Sequence, residues 1–193
     1  MSRIIVLMGK SASGKDSVYK KLAGAKGDRI RTLVPYTTRP MREGEVNGKD
    51  YFFINEEEYK KLKNNNRIVE ERCYDTVEGP WRYLTVNDES FEGDKDVLLI
   101  GTLEAYLSIR EFFGEEKEVV PVYIECDDGD RLIRAINREK KREKPRYKEL
   151  CRRFLADDED FSEDKLENAG VTIRIRNDDL EKCVRDVAEK IWT

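Results

Sequence analysis

Between Gly9 and Ser17 the chain reads Gly-Lys-Ser-Ala-Ser-Gly-Lys-Asp-Ser, a spacing that suits the binding of a polyphosphate. Glycines at the two ends of such a turn let the backbone close around an anion where side chains would block it. Successive N–H groups then converge on phosphate oxygens, and a helix starting at the turn adds the partial positive charge of its N-terminus. Lys15 is placed to reach the β- and γ-phosphates of a nucleotide. On this reading Gly9, Ser11, Ala12, Ser13, Gly14, Lys15, Asp16 and Ser17 form a donor phosphate site. Asp16 stands where the pattern ordinarily carries a Ser or Thr hydroxyl for Mg²⁺. A carboxylate is a hard oxygen ligand for the same ion, so Asp16 is the expected metal contact. The alternative is a strand-to-helix turn that is merely rich in Gly and Ser.

A second stretch suits a second phosphate. In Thr37-Thr38-Arg39-Pro40-Met41-Arg42-Glu43-Gly44-Glu45-Val46-Asn47-Gly48-Lys49-Asp50-Tyr51, two arginines stand beside hydroxyls and a tyrosine, a combination that grips phosphate oxygens. Arg134 and Arg138 repeat at helical spacing, and Arg153 follows; the alternative for these is a solvated surface helix with weak ion pairs. Glu70, taken alone, reads as a surface carboxylate. The chain has no histidine, which removes histidine bases and histidine–metal clusters and leaves chemistry to Lys, Arg, carboxylates, hydroxyls and a bound metal.

The elements that must position these residues follow from periodicity. The apolar run Ile4 to Met8 predicts a buried strand of a parallel sheet, and residues from Val18 carry helical spacing. Gly24 and Gly27 predict a turn, and Ile30 to Val34 a short strand. Asn47-Gly48 is a turn signal ahead of a strand at Tyr51 to Ile54, and Asn55 can cap a helix from Glu56 to about Asn65, with Tyr59 and Leu62 on one face. Residues Ile68 to Val86 are β-like, broken near 75–80. Strands are expected at 96–101, 119–125 and 171–176, the second weakened by Pro121. After 96–101 a helix is expected with Leu103, Leu107 and Phe112 inward. Charged helices are expected from Asp130 to about Lys141 and from Tyr147 to about Phe161; the acidic run 157–160 reads as a solvated helix end. Leu180, Val184, Val187 and Ile191 mark the inner face of a last helix. Strands alternating with helices imply a parallel sheet covered on both faces, from which 35–90 and 138–150 stand off.

Composition narrows the classes. The 193 residues suit one α/β domain. Charged residues make up 40%, yet the formal net charge is only −4, which argues against a nucleic-acid binder. Apolar runs are too short to cross a bilayer, and the first strand begins at once, so neither a membrane partner nor a signal peptide is expected. Cys73, Cys126, Cys151 and Cys183 are scattered without a C-x-x-C pair and read as reduced cytoplasmic thiols.

With the glycine-rich turn at its N-terminal distance, the stretch TTRPMREGEVNGKDYFF resembles the acceptor-binding segment of guanylate kinases; Ile68-Val69-Glu70 and Asn177-Asp178-Asp179-Leu180 agree in order. The resemblance implies a P-loop NTPase-type parallel sheet with helices on both faces, an inserted β-rich acceptor-binding subdomain at 35–90 and a short helical lid at 138–150. It implies a core of 1–34, 91–137 and 151–193. It implies ATP as donor, Mg²⁺ as cofactor, and GMP or dGMP as acceptor. It places Arg39, Arg42 and Tyr51 on the acceptor phosphate and Glu70 on the guanine N1–H and amino group. Arg134, Arg138 and Arg153 would close over the transferring phosphate, and Asn177 would lie near the donor adenine. Three places depart from the pattern. Pro35 replaces a serine, Leu99-Ile100-Gly101-Thr102 stands where D-x-D is expected, and Tyr83 and Thr85 are the equivalents of a Tyr-Gly-Thr element. Thr102 thus substitutes a hydroxyl for a carboxylate in the base site. The implied partners are small-molecule nucleotides, with the chain a monomer or homodimer. The rival readings are a related kinase for another nucleotide or phosphorylated small molecule, and an inactive guanylate-kinase-like binding domain.

Overall fold

The structure is a computed structural model that describes residues 2–25, 29–76 and 79–192. In chain order the elements are β1 (Ile4–Met8), α1 (Lys15–Ala25), β2 (Ile30–Thr32), β3 (Tyr36–Thr37), β4 (Phe52–Phe53), α2 (Glu56–Asn64), β5 (Ile68–Thr76) and β6 (Gly79–Val86). After them come β7 (Asp96–Ile100), α3 (Leu103–Phe113), β8 (Val119–Glu125), α4 (Asp128–Lys140), α5 (Tyr147–Asp160), α6 (Glu163–Asn168), β9 (Ile173–Arg176) and α7 (Leu180–Trp192). Gly27, read as part of a turn, lies outside the described residues.

β1 is a fully buried run because it is the middle strand of a five-stranded parallel sheet ordered β2-β7-β1-β8-β9. Its side chains alternate between two cores. Ile4, Val6 and Met8 meet α3 and α6 through Tyr106, Ile109 and Leu166. Ile5 and Leu7 face α1 and α7 through Val18, Leu22, Cys183, Val187 and Ile191. Each such side chain contributes about 1.5–3 kcal/mol by leaving water. Because β7 and β8 flank β1, strand order reverses there, and the carboxyl ends open a crevice at that switch point. The turn 9–14 lies in it.

Pro121 is accommodated in β8 without loss. Ile4 N–H donates to Glu118 O at 2.8 Å, which turns the even-numbered amides of β8 toward β1. Pro121 faces the other way, ahead of Val122, where pairing with β9 begins.

A second sheet, ordered β4-β3-β6-β5, stands on residues 36–86. Its long β5–β6 hairpin pairs Thr76 with Gly79 at the end. Tyr59, Leu84 and Val86 form a small core of their own with Tyr36, Ile54, Leu62 and Ile68 around it. The Asn55 cap is a full capping box: its side chain accepts from Glu58 N–H while the Glu58 carboxylate accepts from Asn55 N–H.

Two expectations are corrected. In α3 the inward residues are Leu103, Tyr106, Ile109 and Phe113, whereas Leu107 and Phe112 are 36% and 38% exposed. Intervals of four and five residues drift off a helical face; intervals of three, three and four stay on it. α6, with Leu166 fully buried, was not expected from the sequence.

Candidate active site

The turn between β1 and α1 is shaped by close backbone approach. A Cβ on Gly9 would stand 2.8 Å from Ile124 O and 2.8 Å from Ser13 Oγ. Gly14 has φ +91°, and a Cβ there would meet Asn177 Nδ2 at 2.2 Å. Between them Ala12 holds φ 64°, a left-handed conformation that a non-glycine residue keeps only when its surroundings enforce it. Ser13 N–H donates to Lys10 O at 3.1 Å, and Ser17 N–H to Gly14 O at 2.9 Å, which starts α1. Lys15 is the first residue of that helix, its Nζ 3.6 Å from Asp16 Oδ2. The Asp16 side chain is 71% exposed at the positive end of the helix, where anionic oxygens are favoured.

Both flanks of the turn are held by side chains. Asn177 is buried and donates from Nδ2 to Ser13 O at 2.7 Å. Arg134 donates to Asn177 O at 3.3 Å and to Ser13 O at 3.5 Å. Both residues therefore brace the back of the loop at Ser13. On the other flank, Asp157 Oδ2 accepts the Ser11 N–H at 2.7 Å, and Arg131 Nε donates to Ser11 O at 3.1 Å. Lys10 Nζ bonds Asp158 Oδ1 at 2.6 Å. The acidic run 157–160 is thus not merely a solvated helix end: its first two carboxylates dock on the turn.

Beside Ser11 opens a cleft of about 350 Å³ between α4 and α5, lined by Arg42, Arg138, Arg142, Arg146 and Arg153 among others. The structure therefore brings Arg42, Arg138 and Arg153 together. Lys15, Arg39, Glu70 and Arg134 do not line it. Glu149, also on the wall, accepts from Arg152 and Arg153, and these hydrogen bonds hold its carboxyl down at about 2. It remains ionised and tethers the Arg153 guanidinium.

The second sheet positions the remaining residues. Arg39 is buried, donates to both Glu45 oxygens at 2.8 and 2.5 Å and to Pro40 O, and lies over the Tyr51 and Phe53 rings. The Glu45 hydrogen bond, opposed by burial, raises the Arg39 pKa above the ordinary range; Glu45 in turn is held down at about 2. Glu45 also accepts Arg42 N–H at 2.7 Å, so Arg39 fixes the turn that carries Arg42. Tyr83 packs edge-on against Tyr51 and Tyr74. Glu70 is buried on β5 beside Arg72 Nε at 2.7 Å and Thr85 Oγ1 at 3.5 Å. Burial lifts the Glu70 carboxyl above the usual glutamate range, with Arg72 and Thr85 pulling the other way. Thr102 caps α3, its Oγ1 accepting from Ala105 N–H at 3.1 Å. Pro35 offers only its carbonyl, which accepts from Phe52 N–H at 2.9 Å.

Sequence reasoning missed Arg72, Arg131, Arg142, Arg146 and Asp157. The basic density between 138 and 153 pointed toward Arg142 and Arg146. No local spacing marks Arg131 or Asp157, whose shared partner Ser11 lies 120 and 146 positions away.

This fold is one that other proteins share. The family model for guanylate kinase matches residues 1–193. A guanylate kinase of Caldanaerobacter subterraneus subsp. tengcongensis is 32% identical over 186 residues, 95% of this chain and 84% of that protein. A guanylate kinase of Lactiplantibacillus plantarum is 34% identical over 110 residues, 56% of this chain and 52% of that protein. Among solved structures, a guanylate kinase from Anaplasma phagocytophilum shares the fold at a TM-score of 0.61 and 24% identity, covering 98% of this chain and 84% of its own. With the match running from end to end, this chain belongs to the guanylate kinase family.

Proposed function

We propose that the chain transfers the γ-phosphate of ATP to GMP or dGMP, giving ADP and GDP or dGDP. The observation that carries this reading is the pairing of the glycine turn with the arginine cleft beside Ser11: the first suits a polyphosphate donor, the second a further phosphate. Phosphoryl transfer of this kind relies on alignment and charge neutralisation. The turn's N–H groups and Lys15 hold the donor phosphates, Arg42 orients the acceptor phosphate, and Arg138 and Arg153 spread the charge of the moving group. Residues 35–90 act as the acceptor domain and 138–150 as the lid, whose closure excludes water and so suppresses hydrolysis. Four free thiols support a reducing, cytoplasmic setting. Among the described residues no helix is long and apolar enough to cross a membrane.

The residues also fit Mg²⁺. Glycines at 9 and 14 let the turn pack closely on Ile124 O, Ser13 Oγ and Asn177 Nδ2, and the exposed Asp16 carboxylate is one hard ligand of the kind this ion takes alongside phosphate oxygens. When bound, the ion neutralises charge on the donor phosphates. Asp16→Ser should retain most activity, whereas Asp16→Ala should bind ATP with a raised Mg²⁺ requirement by calorimetry. A parent-like Mg²⁺ titration in the alanine variant removes Asp16 from the metal site.

An acceptor panel with ATP tests the reading: GMP and dGMP should outpace AMP, CMP and UMP, and a different preferred acceptor rejects it. Glu70 adds a pH test. Its carboxylate must be ionised to accept the guanine N1–H and amino hydrogens, and burial keeps it protonated to higher pH than an ordinary glutamate. The GMP KM should therefore climb as pH falls, with an onset above 4.5 that Glu70→Gln abolishes. A KM flat down to 4.5 would remove Glu70 from the base site.

A further inference from the structure

Arg131 is 1% exposed, and burying a guanidinium is costly unless every donor finds a partner. Its partners are all charged, polar or aromatic. Nε donates to Ser11 O, one amino group donates to Asp128, the other reaches Asp157 Oδ2 at 3.1 Å, and the group lies 4.7 Å from the Phe154 ring centre. Asp157 Oδ2 accepts the Ser11 N–H as well. One ion pair therefore fixes both the N–H and the C=O of a single residue of the phosphate loop.

Two facts give that grip a consequence beyond packing. Ser11 precedes Ala12, whose left-handed φ of 64° persists only under constraint. Ser13 on its far side is held by Asn177, so the Ser11 contact supplies the constraint on the near side. Asp157 also lies one turn beyond Arg153 on α5, so the helix that carries Arg153 into the cleft ends on the loop.

We infer that Arg131 and Asp157 are a positioning pair that holds the phosphate loop at Ser11 in its donor-binding shape and registers α5, with Arg153, against it. The inference rests on the phosphotransfer reading above. Neither side chain touches reacting atoms; both act through the Ser11 peptide and α5.

Replacing a buried ion pair by apolar groups of similar size is often neutral or stabilising, which separates positioning from stability. The double variant Arg131→Met/Asp157→Leu should melt at or above the parent temperature. Its Mg-ATP affinity and kcat should nevertheless fall about 10²-fold, the cost of misplacing a reacting group. Asp157→Asn keeps an acceptor for Ser11 N–H but loses charge assistance, and should weaken Mg-ATP binding roughly tenfold. A stable double variant with parent-like Mg-ATP binding and kcat overturns the inference. If the double variant does not fold, parent-like Mg-ATP binding by Asp157→Asn overturns it instead. A parent that binds Mg-ATP but never phosphorylates GMP rejects the functional reading, and the calorimetry still decides the pair.

Discussion

Lys15→Ala should lower kcat about 10³-fold while leaving the thermal melt close to that of the parent. Lys15 opens α1 at the switch point, and its ammonium is a cation beside the phosphate turn with Asp16 3.6 Å away. Its removal does two things at once. On the proposed reading the donor phosphates lose a cation, and the Asp16 carboxylate loses the ammonium 3.6 Å away. The melt should move little, because α1 packs on the core through Val18 and Leu22. Steady-state turnover and a melting curve on the same preparation check both halves. A variant that turns over like the parent would mean the glycine turn does not hold the donor.

Gly14→Ala should lower Mg-ATP affinity and kcat about 10²-fold, because a sub-ångström shift of the loop propagates to the reacting atoms. Two effects combine there. A methyl group would stand 2.2 Å from Asn177 Nδ2, displacing the amide that braces Ser13 O, and φ of +91° strains any side chain. The companion Gly14→Ala/Asn177→Ala relieves the clash but not the backbone strain, so calorimetry should show partial recovery at most. Full recovery in the double variant would place the whole effect in the Asn177 contact.

What was legible in the sequence had its cause within a few residues. The apolar run 4–8, the glycine spacing, the Asn55 cap and the arginine-dense stretch after Asp130 are local patterns, and each forms an element close to its expected bounds. The rest depended on partners distant in sequence. Asp157 reads as one more charge on a solvated helix end because its partner, Ser11, lies 146 positions earlier. Arg39 reads as a phosphate ligand from its motif; in the fold its guanidinium pairs with Glu45 beside two aromatic faces, and of the two motif arginines it is Arg42 that lines the cleft. Tyr106 outranks Leu107 in α3 because the helical face, not the apolarity of the side chain, decides burial.

The second sheet's separate core has a consequence for the order in which the molecule comes apart. Tyr59, Leu84 and Val86 are its fully buried apolar centre, a small reserve beside the two cores packed on β1. Cooperative units with less buried apolar contact open at lower free energy. Amide hydrogens of β3, β5 and β6 should therefore exchange with deuterium through sub-global opening, well before those of β1, β7 and β8, which wait for global unfolding. This unit is then expected to be the first foldon to loosen, and on the proposed reading an acceptor bound across it should slow that exchange without touching the central strands.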